Sequence, residues 1–120
     1  MSLKEYRINN NINLLLDGDF DAAVVQELRP TFENVVSIAE DDVIVDLSNV
    51  EFIDSSGIGV LVFLFKRLRE KNIELIFVGL TGQPKRLVEM LRIDKTIKSF
   101  TNLTSYLDYN AELKTVRAGA

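Results

Sequence analysis

The chain has 120 residues, 47% of them hydrophobic and 27% charged, with a formal net charge of −4 and neither Cys nor His. That length suits one domain with a true core and is short for two, and the composition is that of a folded globular protein. The acidic balance argues against a nucleic-acid binder that neutralises phosphates. Without His, the usual general base, the Ser-His-Asp arrangement and the commonest metal ligand are all missing. Without Cys there is no disulfide framework or thiolate metal site, which fits a reducing compartment. The longest apolar run, Val60 to Phe65, ends at Lys66-Arg67, far short of the ~20 residues that span a bilayer. Met1 to Glu5 carries no apolar segment of a secretory signal. A cytoplasmic location away from membranes is the expectation.

In chain order, Leu3 to Ile8 and Ile12 to Leu16 read as two antiparallel strands around Asn9-Asn10-Asn11, residues that tolerate the left-handed turn conformation. Leu14-Leu15-Leu16 is apolar on both faces, as an inner strand would be. Asp17-Gly18-Asp19-Phe20-Asp21 then supplies caps for a helix over Ala22 to Ala39, in which Val25, Leu28, Phe32, Val35, Val36 and Ala39 recur at helical spacing. Pro30 lies inside that helix and is expected to kink or split it near Leu28-Arg29. Val43 to Leu47 is a β-branched run, the pattern of a strand covered on both faces.

A polar turn, Asp54-Ser55-Ser56, next opens onto a helix from about Ser56 to Lys71. Either serine could cap that helix, whose dipole favours an anion at the same place. Gly57 and Gly59 keep its first turn free of side chains, which suggests a close approach. Lys66, Arg67, Arg69 and Lys71 stand at its C-terminal end, the favourable side of the dipole. Ile73 to Leu80 reads as a strand. Pro84 suits the first position of a third helix carrying Leu87, Val88, Met90 and Leu91. Ile97 to Phe100 reads as a short strand, Leu103 to about Leu113 as a terminal helix, and residues 114–120 as a flexible tail.

The order β-β-α-β-α-β-α-β-α implies one α/β domain over residues 1–113, with a mostly parallel sheet and one antiparallel edge. Ligands and partners are expected at the carboxyl ends of the strands, where Asp17, Asp19 and Asp21 meet Asp54, Ser55 and Ser56. Asp54-Ser55-Ser56-Gly57 is not a Gly-x-Ser-x-Gly elbow, and no phosphate-binding Gly-x-x-x-x-Gly-Lys-Ser/Thr loop is present. Four aspartates, Asp17, Asp19, Asp21 and Asp54, offer oxygen ligands for Mg²⁺ around a phosphoacceptor Asp54, but caps and turns explain them without a metal. What remains is Ser55 or Ser56 as the substrate of a kinase. Phosphorylation would turn neutral hydroxyls on an exposed edge into a dense negative patch.

Phe52-Ile53-Asp54-Ser55-Ser56-Gly57-Ile58-Gly59 resembles the signature of STAS domains, specifically of the bacterial anti-sigma factor antagonists. Gly18-Asp19-Phe20-Asp21 is similar to their Gly-Glu-Leu-Asp element, and Lys85-Arg86-Leu87 with Leu91 to the stretch opening their third helix. The resemblance runs from about Leu3 to Leu113 and implies a STAS-like fold. It further implies a cytoplasmic, non-enzymatic regulator without cofactor or metal, phosphorylated at Ser55. The partner it implies is an anti-sigma factor serine/threonine kinase of the histidine-kinase-like ATPase fold, bound by the unphosphorylated form so that a sigma factor is released. A PP2C-type phosphatase would restore that form. Asp21, Asp54, Ser55, Ser56, Gly57 and Ile58 are the implied partner-binding residues. The alternative is an unphosphorylated STAS scaffold subunit of a larger regulatory or lipid-transport complex, with Ser55 only a cap.

Overall fold

Two antiparallel strands open the chain. In the computed structural model, which describes residues 2–119 with side chains from 2 to 113, β1 (Ser2–Ile8) pairs with β2 (Asn11–Asp17). The turn between them places Asn9 at φ 56°, a left-handed conformation that Asn tolerates because its short side chain can bond locally. From β2 onward the strands are parallel: β2 with β3 (Val43–Asn49), β3 with β4 (Leu75–Val78), and β4 with β5 (Lys98–Phe100). The spatial order β1-β2-β3-β4-β5 is the order of the sequence. Successive parallel strands therefore step in one direction, and crossovers of one hand put their helices on one face.

Those helices are α1 (Ala22–Ile38), α2 (Ser55–Glu70) and α3 (Gly82–Met90). Their apolar stripes meet the sheet side chains Ile12, Leu14, Leu16, Val43, Val45, Leu47, Leu75 and Phe77 in the larger core. On the other face, α4 (Leu103–Gly119) packs Tyr106, Leu103 and Leu107 over Ile44, Ile76 and Val78. At about 1.5–3 kcal/mol for each fully buried large side chain, the larger core carries most of the stability.

The element order read from the sequence is the observed one, with an added 3-10 turn at Ile93–Lys95. Element bounds differ in places. The strand read over Ile73 to Leu80 is the four-residue β4, Leu75–Val78. α1 is continuous through Pro30. Gln26 and Pro30 both lie on its exposed side, so the carbonyl left without a donor can be hydrated. α2 begins one residue earlier than expected, at Ser55. α3 begins at Gly82, which makes Pro84 its third residue rather than its first. The missing N–H of Pro84 breaks no helical hydrogen bond there, because the first N–H groups of a helix have no intrahelical acceptor. α4 continues past Leu113 to Gly119; the side chains of the expected tail, 114–120, lie outside the described residues.

Candidate functional site

The loops that follow β2 and β3 run side by side beyond the carboxyl end of the sheet. Gly18 N–H donates to the Asn49 carbonyl at 3.2 Å, Phe20 N–H to Phe52 at 2.8 Å and Asp54 N–H to Phe20 at 3.3 Å. Phe20 and Ile53 form a parallel bridge, and both side chains are fully buried. This short ladder fixes the two segments that introduce α1 and α2, so the N-termini of both helices open on one edge.

Asp54 joins them. One carboxylate oxygen accepts from Gly57 N–H at 2.9 Å, capping α2, and the other accepts from Ala22 N–H at 3.1 Å in the first turn of α1. Asp21 caps α1 itself, accepting from Val24 N–H at 3.2 Å. The far ends are tied as well. The Lys71 ammonium, just past α2, donates to the carbonyls of Val36 at 2.7 Å, Ala39 at 2.9 Å and Ser37 at 3.3 Å. The two residues that end α2 thus also satisfy both ends of α1, which has no basic residue in its own last turn. A carboxylate at the N-termini and an ammonium at a C-terminus each complement the helix dipoles.

The expected serine cap is replaced by Asp54. A carboxylate cap is charge-assisted where a hydroxyl is not, and its second oxygen reaches α1. Ser55 becomes the first residue of α2 and is exposed, with Ser56 half-buried beside it. Neither hydroxyl has a hydrogen-bond partner among the described residues. Gly57 and Ile58 are buried. A Cβ at Gly57 would stand 2.4 Å from the Phe20 carbonyl oxygen, so only glycine lets α2 settle on the neighbouring loop. Gly59 has no such constraint, because nothing lies within 4 Å of a Cβ built there. It borders a groove of about 510 Å³ between α1 and α2, which runs from Ser56 to Arg29.

Gln83 was not singled out in the sequence. Its side-chain amide completes the loop from the opposite side, accepting from Ile53 N–H at 2.9 Å and donating to the Ile53 carbonyl at 2.8 Å. It occupies the place of a further strand on the residue before Asp54. Only a Gln or Asn near the start of a helix that follows the adjoining strand could have hinted at it. Of the four aspartates considered for Mg²⁺, Asp21 and Asp54 are engaged as caps. Among the described residues no group of three or more acidic side chains converges to hold a metal, and no helix is long and apolar enough to cross a membrane.

Residues 4–106 match the STAS domain family model, and the chain belongs to the STAS domain family. Among individual relatives, it is 32% identical over 99 residues to an anti-sigma-B factor antagonist of Listeria monocytogenes, covering 82% of this chain and 85% of the relative. An anti-sigma-factor antagonist (STAS) domain protein from Planctomyces limnophilus superposes with a TM-score of 0.83 at 19% identity, covering 91% of this chain and 97% of that one. The Bacillus cell fate determinant SpoIIAA in its phosphorylated form does so with 0.72 at 15% identity, over 90% and 98%. The two structures share the fold.

Proposed function

We propose that this chain is an anti-sigma factor antagonist, a binding protein without catalytic activity, whose partner contact is switched by phosphorylation at Ser55. The observation that carries the reading is the division of labour at the start of α2: Asp54 does the capping, which leaves the exposed Ser55 hydroxyl with no structural duty. The relatives agree, being named anti-sigma-B factor antagonists, and one structural neighbour was solved phosphorylated. A scaffold role in which Ser55 only caps the helix has no such support.

Unphosphorylated, the edge formed by Asp21, Asp54, Ser55 and Ser56 docks on an anti-sigma factor serine/threonine kinase of the histidine-kinase-like ATPase fold, and a sigma factor is freed. Gly57 and Ile58 act from beneath, by holding the turn in place. Phosphate adds about −1.5 to −2 charges beside Asp54 and Asp21. The α2 N-terminus stabilises that charge within the protein, while the partner meets a far more negative edge. A PP2C-type phosphatase reverses the step.

Ser55→Ala is expected to keep binding the kinase and to take up no phosphate, whereas Ser55→Asp binds at least tenfold more weakly by calorimetry. Equal affinity of the two variants would remove the switch. Mass mapping of the protein from its own cells is expected to place phosphate on the peptide carrying Ser55.

A further inference from the structure

The sheet ends on β1, and that edge is open. β1 pairs with β2 alone, and Ser2, Lys4, Glu5, Tyr6 and Arg7 are exposed along it. Alternate residues of an edge strand turn their N–H and C=O outward, a template for a further strand. The opposite edge, β5, has three residues, whereas β1 has seven. Leu3, Glu5 and Arg7 stand opposite Leu16, Leu14 and Ile12 on the face that carries α1 and α2. Lys4, Tyr6 and Ile8 lie on the other face, where α4 covers β3, β4 and β5.

Charged side chains ordinarily protect such an edge by repelling a second strand. On β1 they leave one long register open. Glu5 and Arg7 carry opposite charges two positions apart, and neither they nor Lys4 is in an ion pair among the described residues. A second copy that extends the sheet in antiparallel fashion is related by a two-fold axis perpendicular to it. That axis keeps like faces together, so the pairing must centre on a residue and not between two. The registers that keep most of β1 paired are centred on Lys4, Glu5 or Tyr6. Those centred on Lys4 or Glu5 set a charge directly against its own copy, which is destabilising. The one centred on Tyr6 sets Glu5 opposite Arg7 of the second copy, Arg7 opposite Glu5, and Lys4 opposite Ile8. The residue on the axis is then an aromatic, 38% exposed in the single chain, and aromatic cross-strand pairs are favourable.

We infer that this chain associates with a second copy of itself through β1, in a two-fold dimer that joins the two five-stranded sheets into one, with Glu5 and Arg7 of each copy facing Arg7 and Glu5 of the other across the Tyr6 axis. Main-chain hydrogen bonds and the Tyr6 contact supply the affinity. The exposed ion pairs add little of it and select the register. The dimer is therefore weak and concentration-dependent, and salt weakens it through those pairs. Because the axis reverses the strands, the two Ser55 edges lie at opposite ends of the joined sheet and both stay open. The dimer thus stands apart from the phosphorylation switch.

Sedimentation velocity and light scattering on the full chain, at rising concentration and at low and high salt, test this. The unsubstituted protein is expected to pass from monomer to dimer, with weaker association at high salt. Glu5→Arg and Arg7→Glu each set like charges opposite one another in this register, so each alone is expected to associate at least tenfold more weakly. An equimolar mixture of the two variants restores unlike pairs and is expected to give a heterodimer. Tyr6→Lys, which puts two like charges on the axis, is expected to be monomeric. Circular dichroism checks the fold of each variant, all three being at exposed positions. An unsubstituted protein that stays monomeric at every concentration overturns the inference, as does a dimer that survives both charge reversals or a mixture that fails to recover it. Ser55→Asp is expected to dimerise like the unsubstituted protein; a dimer lost in that variant places the interface at the Ser55 edge and overturns the inference as well.

Discussion

Single residues carry the site's geometry through contacts that a substitution would break singly. Gly57 is the tightest. Alanine there would gain ~1 kcal/mol of helix propensity, yet its Cβ would meet the Phe20 carbonyl oxygen, a backbone atom that cannot rotate away. Overpacking of this kind costs about 1–3 kcal/mol, so Gly57→Ala is expected to lower stability in urea unfolding, against the propensity trend. Gly59→Ala, with open space around it, serves as the control and is expected to be stabilising. At Gln83, alanine would strand both the N–H and the carbonyl of Ile53, for an expected loss of about 1–3 kcal/mol. Gln83→Glu keeps the acceptor and loses the donor, so it is expected to fall between. An unchanged unfolding midpoint in Gln83→Ala would show that water replaces the amide at no cost. These two residues differ in how far they could be read. A close approach was anticipated at Gly57 and Gly59 together, from their place in the first turn of a helix, and it holds at Gly57 only. Gln83 acts 30 positions away from Ile53, a distance over which no local pattern reports.

Helices α1 and α2 behave as one unit, because α2's flanking residues serve both. Lys71 is the part of this link that lies farthest from Asp54, Ser55 and Ser56, so it can be altered without touching that edge. Lys71→Ala leaves the last carbonyls of α1 without a cation, and a favourable charge at a helix end is worth about 0.3–1 kcal/mol, or up to ~2 when partly buried. The expectation is a loss near 1 kcal/mol with faster amide exchange in the last turn of α1; unchanged exchange there would show the contact to be dispensable. The cations at the C-terminal end of α2 were evident from Lys66, Arg67, Arg69 and Lys71 in the sequence. That one of these would serve another helix was not, since capping across elements depends on how the two pack. The same holds at the other end, where periodicity located the turn but allowed either serine as the cap. Only the approach of Ala22 made a two-oxygen side chain, Asp54, the better choice.

At the scale of the whole molecule, two cores flank the sheet, and the smaller is held by polar groups. The Tyr106 hydroxyl donates to Asp42 at 2.6 Å and accepts from Asn11 at 3.5 Å, which ties α4 to the start of β3. Burial pushes the Asp42 carboxyl above the ordinary carboxylate range, with the Tyr106 hydrogen bond opposing and Asp41 and Glu74 adding to the rise. Burial, and then the bond to Asp42, raise the Tyr106 phenol. A raised folded-state pKa at Asp42 means that its contribution is fully favourable below the unfolded value of about 3.9 and is lost as pH climbs through the folded value. Asp42→Asn can keep the bond from Tyr106 and cannot ionise. It is therefore expected to raise the melting temperature at about pH 7, with the advantage shrinking towards about pH 3. An advantage of the same size at both would exclude ionisation as its cause. For Tyr106 the sign is the same, so its contribution is present below about pH 10 and lost above it. By itself the sequence determined the element order, the mixed sheet, the family likeness and the turn at Asp54-Ser55-Ser56, because hydrophobic period, turn residues and short motifs are local properties. The tertiary structure alone decided that Asp54 rather than a serine caps α2, that Gln83 holds Ile53, and that Lys71 closes α1. Each of those depends on groups distant in the chain meeting at hydrogen-bond range, and such encounters are fixed by packing.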